Sequence, residues 1–213
     1  MQFSAEFARE FEQLLKWRRD VRRFRDAPVD EALIRDLLVL ADHAPSVGLS
    51  QPWRFVSMER EAQRALVRAS FERCNAAALE GYSGQDRKLY ATLKLEGLRE
   101  APVQFAVFAD ETTRKGKGLG AQTMPETLRY STVMAVHTFW LAARIRGLGV
   151  GWVSILEPDI VRKAANAPPG WALVAYLCVG WPQEESDQPE LERAGWEVRT
   201  LSGGTGSEGT ERS

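Results

Sequence analysis

Between residues 127 and 146 the chain carries a long run whose apolar positions, Leu128, Val133, Met134, Val136, Trp140, Leu141 and Ile145, leave almost no polar helical face. A helix of this kind cannot lie on a solvated surface. It is buried at the centre of a fold or against a second subunit. Gly147 and Gly149 end it, and everything else must be arranged around it. Four apolar runs read as strands: WRFVSM at 53–58, VQFAVFA at 103–109, VGWVSIL at 150–156 and WALVAYLCVGW at 171–181. The last is the most hydrophobic and is expected at the centre of a sheet. Helical periodicity covers Phe3, Phe7, Phe11, Leu14 and Leu15 behind the N-cap Ser4, then Leu33 to Ala41 behind Asp30, then residues 61–80. A GYSG break follows at 81–84, then a helix expected through Tyr90 and Leu95 to Arg99, and a short one near 159–165. Helices interleaved with about four strands predict an α+β layered fold.

A chain of 213 residues can bury a sizeable core in one domain, expected over 1–200, with the glycine- and serine-rich stretch at 201–213 as a disordered tail. No run approaches the roughly 18 apolar residues of a membrane span. The mixed-charge N-terminus does not read as a signal peptide. Cys74 and Cys178 have no CxxC partner, so no disulfide framework is expected and a reducing cytoplasm fits. His43 and His137 are the only histidines, which argues against a histidine-rich metal site; no metal is expected.

The formal net charge is only −1, yet Lys16, Arg18, Arg19, Arg22, Arg23 and Arg25 crowd into ten residues with Asp20 among them. Three readings stand. The cluster is a solvated helix end, a nucleic-acid arm, or a phosphate site in which guanidinium forks grip a phosphomonoester. Without a second basic patch, the nucleic-acid reading is weak. Asp20 separates the others, because a carboxylate there weakens phosphate binding unless it has its own task, such as accepting hydrogen bonds from hydroxyls. Further along, APSVGLSQPW (44–53) is a tight turn that can bring backbone amides, Ser46 and Gln51 to a flat ring. The alternating Gly147, Gly149 and Gly151 do not make a dinucleotide fingerprint, since they close a helix and open a strand. The loop at 112–123 lacks P-loop spacing and carries no legible motif.

Together RRDVRRF (18–24), APSVG with QPW, LKLEGLREAP (93–102), YSTVMAV (130–136), GLGVGWVSI (147–155) and PELERAGW (189–196) resemble the nitroreductase-like flavoprotein family from about residue 14 to residue 199. Within it they are most similar to the branch that forms 5,6-dimethylbenzimidazole. The resemblance implies a central, mostly antiparallel sheet flanked by helices, with the long helix at a two-fold homodimer interface. It implies an oxygenase whose substrate is reduced FMN, with O2 as co-substrate. The flavin is fragmented into 5,6-dimethylbenzimidazole, the lower ligand of vitamin B12, and erythrose 4-phosphate. A separate NAD(P)H-dependent flavin reductase would supply FMNH2.

The same resemblance assigns roles. Arg18, Arg19 and Arg22, with Val21 between them and Arg199 from the C-terminal side, would hold the phosphate and ribityl chain. Asp20 would accept a proton during carbon–carbon cleavage, kept ionised by its arginine neighbours. Ser154, with Val153, would lie beside the reactive edge of the ring, where Ser154 could relay a proton. Pro45, Ser46 and Leu49 would meet the ring from the partner subunit, while Lys94 and Leu95 belong to a lid over about 80–100. The runner-up is an ordinary NAD(P)H-dependent FMN nitroreductase, quinone reductase or reductive dehalogenase that keeps its flavin. Asp20 and the KLEG segment at 94–97 argue against it.

Overall fold

A computed structural model describes residues 1–200, and the tail expected at 201–213 lies outside the described residues. In chain order its elements are α1 (Ala5–Trp17), α2 (Glu31–Ala41), a 3-10 turn (Val47–Leu49), β1 (Trp53–Ser57), α3 (Glu61–Glu80), α4 (Gly84–Thr92), β2 (Val103–Asp110), α5 (Thr127–Ile145), β3 (Gly149–Val153), α6 (Pro158–Ala164), β4 (Trp171–Gly180) and α7 (Glu190–Arg193). The strands form one antiparallel sheet in the order β1-β2-β4-β3. The expected antiparallel α+β arrangement is therefore present, and β4 is interior as its hydrophobicity predicts. No described helix is long and apolar enough to cross a membrane.

Side chains alternate across a strand, so β2 and β4 feed two cores at once. Phe105 and Val107, with Leu177 and Val179, pack under α5 and α2 against Val136, Phe139 and Leu37. Ala106 and Phe108, with Tyr176 and Cys178, face α3 and α6 against Val67 and Val161. Both faces of the sheet are covered, which is why these strands are apolar at nearly every position rather than at alternate ones. α5 buries Ala135, Val136, Phe139 and Ala143 but leaves Tyr130, Val133, Met134 and Ile145 exposed. The long helix thus keeps an apolar stripe that nothing among the described residues covers.

A buried polar link ties the sheet to the segment after α4. Tyr176 donates its hydroxyl to Gln104 Oε1 at 2.7 Å, and Gln104 Nε2 donates to the Leu98 carbonyl at 2.8 Å. Tyr176→Phe strands a buried amide oxygen, so urea melts are expected to show a loss of about 1–3 kcal/mol. A variant as stable as the wild type would mean that water reaches Gln104.

The helix expected to reach Arg99 ends at Thr92, and Leu93 is already extended with ψ 132°. The cause is distant in sequence. The Lys94 carbonyl accepts from Arg22 Nη1 at 2.7 Å, a carbonyl that a continuing helix would have used internally. Gly97 then approaches the Phe24 ring so closely that a Cβ there would fall 2.4 Å from it. The 81–100 segment is therefore helix followed by a docked, irregular strand of backbone.

Candidate functional site

The arginine cluster is built against the free edge of β3. Val21 N donates to the Val150 carbonyl at 3.0 Å, and Asp20 bridges Val150 in the parallel sense. Asp20 Oδ1 accepts from Trp152 N at 2.8 Å. Four residues after Val21, Arg25 N donates to the Trp181 carbonyl at 2.8 Å, beyond the end of β4, and Phe24 is buried between. The glycines of GLGVG have their function here. A Cβ on Gly151 would sit 2.1 Å from the Val21 carbonyl oxygen, and one on Gly149 would meet the Val21 side chain at 2.7 Å. They allow one backbone to lie directly on another. That signal was present in the sequence, but its partner was not.

Asp20 is held from two sides, with Oδ2 accepting from Arg22 Nε at 2.9 Å. Its side chain remains 31% exposed on the open side, against 11% for Arg22. The arginine neighbours do lower the Asp20 pKa, as expected, but they do not set its net direction. Burial pushes the Asp20 pKa up, outweighing Arg22, the Trp152 amide and Arg18, all of which act the other way. Taking a carboxylate out of water costs more here than three partial compensations return.

Around Asp20 a cavity of about 160 Å³ is lined by Arg18, Arg19, Arg22 and Arg199, closed by residues 189–191. Each arginine is differently restrained. The Arg18 guanidinium lies 4.8 Å from the Trp140 ring centroid, a cation–π platform offered by α5. Burial lowers the Arg18 pKa, Asp20 opposes that, and Arg199 adds to it. Arg19 Nε donates to the Lys16 carbonyl at 2.7 Å, capping the end of α1. Arg22 is committed on both Nε and Nη1. Arg23 turns away to Glu190 at 2.7 Å and takes no part in the cavity lined by Arg199. Guanidinium groups gathered in this way around one carboxylate have the donors and the acceptor to receive an anion that also carries hydroxyl groups.

Val153 closes β3 with its side chain in the core, and Ser154, the first residue past the strand, is exposed. It does not lie in a buried strand, so its hydroxyl is free to meet a ligand. Lys94 pairs with Glu100 at 2.6 Å, and Leu95 packs on the core beside Phe24.

The turn at 45–51 is a separate structure. Ser46 Oγ accepts from Gln51 N at 3.1 Å, and Val47 N donates to Ser131 Oγ on α5 at 3.0 Å. Pro45 is exposed, and Leu49 is 72% exposed in a left-handed conformation, φ 56°. Left-handed backbone at a leucine costs about 1–3 kcal/mol and is held by its surroundings. Those surroundings include the loop at 112–123, illegible in the sequence, whose Gly116 approaches the Gly48 carbonyl oxygen so closely that a Cβ would lie 2.6 Å away. Pro45, Ser46 and Leu49 do not line the arginine cavity of the same chain.

The stretch from residue 15 to residue 181 matches the model of the Nitroreductase family. The chain belongs to the nitroreductase family. Among its relatives in that family, a 5,6-dimethylbenzimidazole synthase of Rhodospirillum rubrum is 58% identical, over 92% of this chain and 93% of that protein. A second protein of that name, from Rhodobacter capsulatus, is 50% identical over 87% and 89% of the two chains. Among solved structures, oxidised iodotyrosine deiodinase bound to FMN and 3-iodo-L-tyrosine superposes with a TM-score of 0.69 at 27% identity, covering 82% and 91% of the two chains. α7 and Arg199 lie beyond the residues that the family model matches.

Proposed function

We propose that this nitroreductase-family enzyme is a 5,6-dimethylbenzimidazole synthase. The observation that carries the reading is Asp20 set among Arg18, Arg19, Arg22 and Arg199 around one cavity. Two relatives that share most of this chain's length and half or more of its residues bear that name. The donor set fits FMN, because guanidinium forks suit a phosphomonoester and the carboxylate suits ribityl hydroxyls. When bound in its reduced form, FMN with O2 supplies the carbon skeleton of 5,6-dimethylbenzimidazole and leaves erythrose 4-phosphate.

The protein's own groups bind, orient and move protons. Arg18, Arg19 and Arg199 grip the phosphate and outer ribityl oxygens. Arg22, already bound to Asp20 and Lys94, holds the carboxylate in place and meets the ligand with what remains of its fork. Asp20 takes a proton from a ribityl hydroxyl, and Ser154 relays one at the ring edge. Val21 and Val153 wall the site, and residues 81–100, with Lys94 and Leu95, cover it and exclude water. Pro45, Ser46 and Leu49 complete the site from a partner copy, for which the uncovered apolar stripe of α5 is the contact surface. Dilution is then expected to release FMN in step with dimer dissociation; a monomer that binds FMN equally well refutes the shared site. The two cysteines are free thiols, which suits the cytoplasm, where an NAD(P)H-dependent flavin reductase would provide FMNH2.

The test gives the protein FMN, reduces it anaerobically, admits oxygen, and follows absorbance and mass spectra. Incomplete return of the flavin absorbance with appearance of the benzimidazole supports the reading. Quantitative return of oxidised FMN overturns it, in favour of a reductase that recycles its flavin.

A further inference from the structure

Within ten residues, 190–199, the chain touches three parts of the site. Glu190 of α7 binds Arg23 at 2.7 Å, next to the arginines of the cavity. Gly195, at φ +75°, then ends α7 in a left-handed turn, with Trp196 N donating to the Leu191 carbonyl at 2.9 Å and Gly195 N to that of Glu192 at 3.1 Å. This helix-terminating pattern needs glycine at the left-handed position. It turns the Trp196 indole onto α4. Trp196 meets Tyr82 edge-on, with centroids 5.4 Å apart at 81°, and Tyr90 at 6.0 Å and 61°. Tyr82 and Tyr90 are stacked at 4.8 Å. Three residues later Arg199 lines the arginine cavity.

α4 is tied to α3 by two side-chain hydrogen bonds, one of them from Arg87 Nη1 to the Leu79 carbonyl at 2.7 Å. Tyr90 is the one buried residue of the helix, and its hydroxyl donates to Asn75 Oδ1 of α3 at 2.7 Å. The one buried residue of α4 is thus also a residue on which Trp196 packs. A ligand phosphate that engages Arg199 fixes the strap at one end, Glu190–Arg23 fixes the other, and Trp196 lies between.

We propose that Trp196 is a positioning residue that couples capture of the flavin phosphate by Arg199 to seating of α4 over the site, and so selects FMN over the phosphate-free riboflavin. The inference rests on the flavin reading given above. A ligand without the phosphate leaves Arg199 unengaged, the strap loose and α4 free to lift. Selection then arises twice, once in lost charge pairing and again in an unsealed site.

Hydrogen exchange of the amides of α4 tests this with oxidised flavins and needs no turnover. In the wild type, saturating FMN is expected to slow exchange across α4, whereas saturating riboflavin does not. Trp196→Ala is expected to abolish the slowing even when FMN is saturating, and to weaken FMN roughly tenfold while leaving riboflavin affinity unchanged. Trp196→Phe should restore most of both effects. Because Trp196 is half-buried and belongs to neither core cluster, the alanine variant leaves the two cores intact. Equal slowing by both flavins in the wild type, or undiminished slowing by FMN in Trp196→Ala, overturns the coupling alone. If neither flavin binds, the flavin reading falls and the coupling falls with it.

Discussion

Asp20→Asn is expected to lower flavin fragmentation by about 10²- to 10⁴-fold, the range for loss of a positioned acid–base group, while FMN stays bound. The asparagine keeps an oxygen for Trp152 N, so the arginine segment remains on β3. Its amide cannot accept a proton, and its NH2 faces the Arg22 guanidinium where a carboxylate oxygen had accepted. Stopped-flow oxidation of the reduced flavin, with product analysis, checks the first statement and fluorescence titration the second. A variant that forms the benzimidazole at the wild-type rate sinks the assignment of Asp20 as base.

The pH dependence sharpens that test. Burial raises the Asp20 pKa, so the carboxyl takes up its proton above the usual carboxylate range. Activity that needs the carboxylate should therefore fall as pH drops through this raised value, giving an acid limb displaced toward neutrality. Stability moves the other way. An aspartate with a raised folded pKa favours the native state below its unfolded pKa, and this contribution disappears as pH rises through the folded value. Ionising Asp20 therefore costs the folded protein stability as pH rises through the raised value. Urea melts across pH should lose this component in Asp20→Asn. An acid limb unmoved by the substitution assigns it to another group.

Much of this was written locally. The periodicity of residues 127–146 and the density of apolar residues at 171–181 foretold a buried helix and an interior strand, because each pattern reports the neighbours its side chains require. The arginine segment was equally legible, since six cations with one acid in ten residues have few uses. What could not be read depends on contacts far apart in the chain. α4 ends at Thr92 because Arg22 claims the Lys94 carbonyl, 72 residues away. The Asp20 pKa is set by the protein packed around it, which a list of neighbouring charges leaves out. The loop at 112–123 looked featureless because its glycines answer Gly48, a residue in another segment. Trp196 entered only as the last letter of PELERAGW, and its contact with Tyr90 shows only in the fold.

Gly151→Ala is expected to damage the site more than its single added methyl suggests. That carbon would fall 2.1 Å from the Val21 carbonyl oxygen and 3.3 Å from the Val21 carbonyl carbon. Both are backbone atoms and cannot swing aside. Asp20 and Val21 must then lift from β3, breaking the Val21 N to Val150 bond and the Trp152 N to Asp20 bond together. Overpacking of this kind costs about 1–3 kcal/mol of stability. The functional loss should be larger, since displacing a catalytic group by an ångström costs about 10²-fold in rate. Gly149→Ala supplies the comparison, because its methyl would meet only Val21 side-chain atoms, at 2.7–2.9 Å, so its effect should be smaller. Circular dichroism melts and FMN titrations of the two variants decide the matter. If Gly151→Ala binds FMN and turns over like the wild type, β3 does not hold Asp20 in its working position, and the site must be assembled by the ligand instead.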